Sequence, residues 1–497
     1  MKLFLKLTVL FSMYGFLTYG VTRHVPGAYP TIQAALNACI SGDTVRVQPG
    51  VYVENIIWPL ITQNIKLLSD SGSAHTTISG GSTDRVLYIN SAGLDTNTVI
   101  SGFKITDGYI TSGSGYGAGV HVTNTSLLFQ DVVITGNRVY TPGSHGHGAG
   151  LFLNNSSSVF RNCTISNNSI DSATWCYGAG VFIQGGFPVF SYVTIANNSS
   201  HAANWCYGVG LYATNGTLLT MSEVKVTGNF SGDDAIWYYG TGIYLDDVTG
   251  TLTNLLVASN VSGTGGNFNN GGGIYFNGSL TNMNIINCTV TDNSKSGNGT
   301  INGTGIYVRD ATVNILNSIL FNSNTGMELI TNGTGNVFVT YSNVRGGFAG
   351  IGNINVLPGF VSAVDFKLSP LSLCAGTGTA NGAALIDLEG ISRPLPLLTL
   401  PDMGCYEIDQ TATGLSASLI DTKALNVYPN PVISGEVITI ENTRQYLKIT
   451  DITGKVVYET IDEAQITEIS TSGWNSGWYF IYSPGQKAKK LAVISQK

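Results

Sequence analysis

Between Tyr116 and about Asn324 the apolar positions alternate with polar ones in short runs that return at a fixed interval. The clearest marker is Gly-x-Gly followed by an aliphatic residue. It occurs at Gly117–Val120, Gly148–Leu151, Gly178–Val181, Gly208–Leu211, Gly240–Ile243, Gly271–Ile274 and Gly303–Ile306, with steps of 31, 30, 30, 32, 31 and 32 residues. Three and five positions after the first Gly the residues are aliphatic in nearly every copy, as in Val181 and Ile183. The position between them carries His121, Phe152, Phe182, Tyr212, Tyr244, Tyr275 and Tyr307. Period 2 predicts a strand with its aliphatic face in the core and an aromatic ladder on the other face.

A second strand in each copy ends in aliphatic-x-x-Asn, at Asn137, Asn168, Asn198, Asn229, Asn260 and Asn293, while Asn322 and Asn324 straddle the next expected place. Asn tolerates the left-handed bend of a tight corner, and stacked copies can bond one another as an amide ladder. Gly, Asn, Thr and Ser dominate the repeat, its apolar residues are β-branched or aromatic, and each copy is too short for a βαβ unit. Strands repeating in one orientation without a helical crossover coil into a solenoid.

These features resemble the right-handed parallel β-helix proteins of the pectate lyase-like superfamily, over about residues 25–365. The Gly-x-Gly and x-x-Asn pair also resembles the repeats of autotransported polymorphic outer-membrane proteins. The resemblance implies an all-β fold and leaves function open. Tyr29–Ala38 reads as a short helix over about 31–39, with Thr31 as N-cap and an Ile32, Ala35, Leu36 stripe laid over the open end of the coil. Gly42-Asp43-Thr44 through Pro49-Gly50-Val51-Tyr52 resembles the family's opening turn. Residues 366–408, with Asp387-Leu388-Glu389-Gly390 and Asp402-Met403-Gly404-Cys405, resemble the closing region of choice-of-anchor Q proteins.

Beyond the coil, 409–424 is small and polar and reads as a linker. Residues 425–497 hold several short strands, opened by Val427-Tyr428-Pro429-Asn430-Pro431 and closed by Gly477-Trp478-Tyr479-Phe480 and Lys489-Lys490-Leu491. They resemble the type A sorting domain of the type IX secretion system. That implies handling by this machinery and delivery to the outer surface, or release, from a Gram-negative bacterium. Such a domain gives an address and no chemistry. Residues 1–20 read as a signal peptide, with Lys2 and Lys6 ahead of an apolar run and small residues at the cut. The mature coil then spans 21–365, its regular part 116–324.

Composition narrows the chemistry. Charged residues are 11% of the chain and the net charge is −7, with no basic patch, so nucleic acid is not an expected partner. No later stretch is long and apolar enough to span a membrane. Seven cysteines fit no tidy framework, but Cys176 and Cys206 share one column on adjacent turns, and Cys374 and Cys405 are a second candidate pair.

No complete catalytic set is legible. Gly146-His147-Gly148 and Asp233-Asp234 echo polygalacturonase segments in reversed order and without their companions. His147 falls in a column of tyrosines, which suggests packing. Arg309 and Asp310 are a lone basic-acidic pair. Weak catalytic candidates are Asp171, His201, Asp233 and Asp234, which share one loop neighbourhood. Asp233, Asp234, Asp246 and Asp247 are weak ligands for Ca²⁺, the one cofactor considered. A further pattern is aromatic. Trp175, Trp205, Trp237 and Phe268 precede the motif by three residues, and Tyr177, Tyr207 and Tyr239 by one. Such a column is either a polysaccharide platform or packing against the outward ladder. The expected function is a non-catalytic adhesive or structural surface protein with a polysaccharide partner. The alternative is a polysaccharide lyase or glycoside hydrolase.

Overall fold

In the computed structural model the described residues are 20–60, 63–201, 204–232, 235–264, 268–296, 301–322, 326–362, 364, 366–409, 425–441, 447–453, 455–460, 466–483 and 489–495. The signal segment, the linker from 410, Asp233, Asp234, Asn324 and the side chain of Phe268 lie outside them. Two compact units divide the chain, 1–410 and 411–497.

One turn shows how the first unit is built. After Gly178-Ala179-Gly180 the chain runs through strands Val181–Gln184, Val189–Ser191, Thr194–Ala196, Ser199–His201 and Trp205–Tyr207, and then meets the next Gly-x-Gly. Each strand pairs in parallel with its counterpart one turn on. Stacking produces five parallel sheets of 10, 12, 11, 7 and 6 strands, in the order of that turn. The first three enclose the main core, which holds Val181, Ile183, Phe190 and Ile195 and their equivalents. Phe129, Phe160 and Phe190 stack within it at 4.8 and 5.0 Å.

The second, fourth and fifth sheets exceed the sequence reading, which found two strands per copy, those of the first and third sheets. The segment between the Asn corner and the next Gly-x-Gly goes out on the fourth sheet and returns on the fifth. It encloses a second, smaller core of Val139, Ile170, Ala173, Cys176, Ala179, Cys206 and Tyr238. A segment this long carries too many backbone polar groups to lie unpaired, and stacking copies of it satisfies them. The result is a side lobe along the coil.

The Asn ladder separates the two cores, with one correction to the expected conformation. The left-handed residues are those just before the ladder asparagines, such as Asn167 and Asn197 at φ 54°. The ladder residue itself turns inward. Asn198 Nδ2 donates to Asn229 Oδ1 (2.9 Å) and to the Ile165 carbonyl (3.1 Å), while its Oδ1 accepts from Asn168 Nδ2 (3.0 Å) and the Asn168 backbone N–H (3.1 Å). The run starts where Gly108 N–H donates to Asn137. It includes Asn322, and it ends on Glu328, whose carboxylate accepts from the Asn322 side chain and backbone and meets Arg345 at 3.3 Å.

The same ladder explains the motif. Gly178 bends the chain between the fifth and first sheets at φ 56°, a region costly for other residues. Gly180 lies against the ladder, where a Cβ would sit 2.6 Å from the Gly210 carbonyl oxygen and 2.7 Å from Asn198 Nδ2.

Near the N-terminus one short helix, Ile32–Asn37, is capped by Thr31, whose side chain accepts from the Ala34 N–H. It is shorter than the expected 31–39, and its Ile32, Ala35 and Leu36 join the main core. Residues 366–408 lie along the flank of the coil. Phe366, Leu388, Cys405 and Tyr406 cover Leu256 and Ala258 of the third sheet, and Asn254, Asn287 and Asn317 donate to carbonyls of this segment. Its Arg393 and Glu407 form a wholly buried ion pair at 2.9 Å. The second unit is a sandwich of a three-stranded and a five-stranded sheet, Asn426–Tyr428 to Lys489–Ile494, around one core that includes Ile438, Ile449, Ile481 and Leu491.

Candidate functional site

Three columns of rings run along one side of the first unit. On the first sheet, Phe152, Phe182, Tyr212, Tyr244, Tyr275 and Tyr307 stack face to face. Their centroids are 5.3, 5.2, 5.1, 5.0 and 4.9 Å apart, and no step is tilted by more than 16°. On the fifth sheet Tyr116, His147, Tyr177, Tyr207 and Tyr239 stack likewise. These rings meet the first column edge-on, as Tyr177 meets Tyr212 at 71°. The third column is His145, Trp175, Trp205 and Trp237, two residues earlier on the same strands. Trp205 and Trp237 lie parallel at 5.0 Å, and Trp175 is tilted 48° to Trp205 at 5.9 Å.

Period 2 on the fifth sheet produces this arrangement. Trp175 and Tyr177 face outward and are half-buried, while Cys176 between them is sealed in the side lobe. The sequence left two outcomes for the tryptophans, a polysaccharide platform or packing against the outward ladder, and the structure bears on the packing. They do not fold over Phe182 and Tyr244, because the Tyr column already occupies that place. Their ring faces are nevertheless turned largely on one another, so solvent meets edges more than faces. His147 is a packed member of the tyrosine column, and burial pulls its pKa down to about 4. Burial also raises the phenols of Tyr177 and Tyr207.

Asp171 and His201 are neighbours on adjacent strands of the fourth sheet. Asp171 lies between Arg138 (2.5 Å) and His201 Nδ1 (3.1 Å), and it also accepts from Ser169 Oγ at 3.0 Å. Arg138 lies over the Tyr109 and Tyr140 rings. The group is a cross-turn ion network on the outer face of the lobe, with both basic partners half-exposed.

Asp246 and Asp247 sit elsewhere, at the end of a first-sheet strand. Asp246, Asn277, Arg309 and Asn332 are register partners on successive turns, beside the tyrosine column. Asn277 Nδ2 donates to Asp246 at 2.6 Å. Burial raises the Asp246 carboxyl above its ordinary value, the Asn277 bond opposes the rise, and Asp247 adds to it. A cavity of about 440 Å³ lies here, lined by Asn277, Gly278, Ser279, Arg309, Asp310 and Thr334. Arg309 and Asp310 are 3.6 Å apart, and Asp310 also accepts from Thr334. Sequence reasoning noted Arg309 and Asp310 but missed their link to Asp246, although Asp246, Asn277 and Arg309 each stand six residues after the first Gly of their motif copy. Among the described residues no group of three or more His, Cys, Asp or Glu is set to hold a metal ion.

All seven cysteines are thiols in the structure. Cys176 and Cys206 are register partners, whereas Cys374 and Cys405 fall in separate apolar clusters.

Comparison with protein families finds two matches. A right handed beta helix region matches residues 67–241 and 118–313, and a secretion system C-terminal sorting domain matches residues 426–494. No curated protein matches the chain.

Proposed function

Starting from a right-handed β-helix joined to a type IX sorting domain, hence from a secreted or cell-surface protein, we propose that this chain is a non-catalytic adhesive or structural protein that binds polysaccharide. Its binding surface is the ring ridge of Trp175, Tyr177, Trp205, Tyr207, Trp237 and Tyr239, and the proposal extends it to Phe268, the register partner of Trp237 on the next strand. The observation that carries the reading is the half-buried Trp column, kept on the surface of a lobe that has its own core. Because ring faces are largely self-stacked, a sugar chain meets ring edges, with the wider Trp175–Trp205 step as the place for a pyranose face. The partner for export is the type IX machinery, acting through 425–497.

A second reading rests on a different place. The cavity beside Asp246, Asn277, Arg309 and Asp310 gathers ionisable groups as an active site does, and a lyase or glycosidase working there is the alternative. In that reading Ca²⁺ binds at Asp246 and Asp247.

The test uses the full chain with a panel of plant, algal and bacterial polysaccharides, with and without Ca²⁺. Retention without product, lost in Trp205→Ala and Trp237→Ala variants of unchanged circular dichroism, is the expected result. Unsaturated product or new reducing ends, abolished by Arg309→Ala, would replace this reading with the enzymatic one. Retention indifferent to both tryptophans would remove the ridge from it.

A further inference from the structure

The side lobe holds a pair of thiols that the ring ridge does not use. Cys176 and Cys206 stand directly opposite each other on neighbouring parallel strands, Trp175–Tyr177 and Trp205–Tyr207. Period 2 points both inward. Each is sealed in the lobe core, at 0% and 2% exposure. Parallel neighbours lie about 4.8 Å apart, inside the Cα range that a disulfide spans. The two thiols interact with one another, and Ser200 Oγ lies 3.4 Å from Cys206 Sγ.

Location supplies the second half of the argument. A chain bearing a type IX sorting domain is exported, and so it passes an oxidising compartment. We propose that Cys176 and Cys206 are joined there as a disulfide that staples two adjacent turns of the side lobe. The oxidant is a disulfide of the thiol-exchange class. The thiolate of one cysteine attacks it, forming a mixed disulfide and releasing one oxidant sulfur as thiolate. The second cysteine's thiolate then attacks the bound sulfur of the first. The Sγ–Sγ bond forms, the oxidant's other sulfur leaves, and the two protons lost by the cysteines end on the two released sulfurs. The protein pair is oxidised by two electrons and the oxidant is reduced by two.

Timing follows from burial. Within the folded lobe both sulfurs are out of reach of a bulky oxidant, and desolvation holds the Cys176 thiol well above its ordinary pKa. The exchange therefore belongs to the interval before the lobe closes. The staple crosses the Trp175–Trp205 step, the wide and tilted one. It holds that step by linking residues that lie between the Trp and Tyr of each strand.

The test is thiol counting on the full chain recovered after export. The protein is denatured and alkylated without reductant, then compared with a reduced sample. Of the seven cysteines, five are expected to react before reduction, seven less the bridged two, and peptide mapping should return a Cys176–Cys206 cross-linked peptide. Alkylation of all seven, or a bridge between other cysteines, overturns the proposal. A double variant, Cys176→Ala with Cys206→Ala, should lose the difference in unfolding midpoint between oxidised and reduced samples. A difference that persists in the variant overturns it equally. Should the variant fail to fold, the mapping on the unmodified chain decides alone.

Discussion

Replacing Asn198 by Ala tests whether the amide ladder holds the two cores together. Four hydrogen bonds disappear, two donated and two accepted, all between 2.9 and 3.1 Å. Some partners keep an alternative. Asn168 Nδ2 retains the Ile134 carbonyl, and Asn229 Oδ1 retains the backbone N–H of residue 198. The Asn168 backbone N–H has no substitute, and one N–H of its side-chain amide is orphaned with it. Asn168 is fully buried, so no water replaces the lost acceptor. Each orphan costs about 1–3 kcal/mol, and the two together about 2–6 kcal/mol. In a solenoid that loss falls on neighbouring turns, so the sensitive assay is amide hydrogen exchange. At about 1.4 kcal/mol per decade, a loss near 3 kcal/mol opens the 168–198 step roughly a hundredfold more often. The Asn168 amide should show this first. Asn198→Leu separates hydrogen bonding from filling, since it restores volume and leaves the same orphans. If the Asn198→Leu variant exchanged like the parent, the ladder would be mere packing and the argument would be wrong.

Two further outcomes follow from the same region. Burial lifts Glu328 and Glu407 to about 7 from an ordinary 4.5. Between those values the folded chain keeps protons that the unfolded chain has released. Stability from these groups is therefore full below about pH 4.5 and falls as pH rises towards 7, by about 3 kcal/mol for each carboxyl. Urea unfolding across that range should show the slope, and Glu328→Gln should reduce it by about half. Gly180→Ala should destabilise by about 1–3 kcal/mol through overpacking, because its Cβ meets a backbone oxygen and the ladder amide. Thermal unfolding measures it, and an unchanged midpoint would show that this approach is not tight.

What was legible in the sequence was whatever repeats with a fixed offset. Val181 and Ile183 in the core, Phe182 and Tyr212 in the outward column, and the asparagines at the corner could be read by aligning copies, because one turn places each beside its equivalent. The first strand of the lobe was less legible. Ser199, Ser200 and His201 carry no apolar alternation, and Ser200 lines a buried column only because Ile170 does so one turn earlier. Position, not side chain, makes that strand. The ladder's end was hidden for a related reason. Glu328 stands six residues after Asn322, off the period, and only the fold brings its carboxylate under the last amide. As for the candidate sites, stacking showed that the tryptophans form a column but not which way the rings face. The alignment of Asp246, Asn277 and Arg309 was legible, six residues after each motif Gly, but their residue types differ and the cavity beside them appears only in the fold.

The lobe also bears on how a surface ridge can be kept on an exported solenoid. A run of exposed Trp and Tyr on a single sheet would be a ready aggregation template. Here the same strands that present Trp205 and Tyr207 outward bury Cys206 inward, so each turn of the ridge is fastened to a core of its own. Mutual stacking then covers the ring faces and leaves edges outside. On the proposed reading, ligand strength is traded for solubility, since a sugar would have to compete with a neighbouring ring for the face it would use. The tilted Trp175–Trp205 step is where that competition would be weakest, because a ring turned by 48° at 5.9 Å covers its neighbour only in part. Widening the step further, with Trp175→Ala, separates the two roles of the column. It removes a ring from the ridge and uncovers one face of Trp205. A ridge that recognises sugar by ring faces should therefore keep or gain retention on its glycan. One that recognises sugar by the row of edges should lose it.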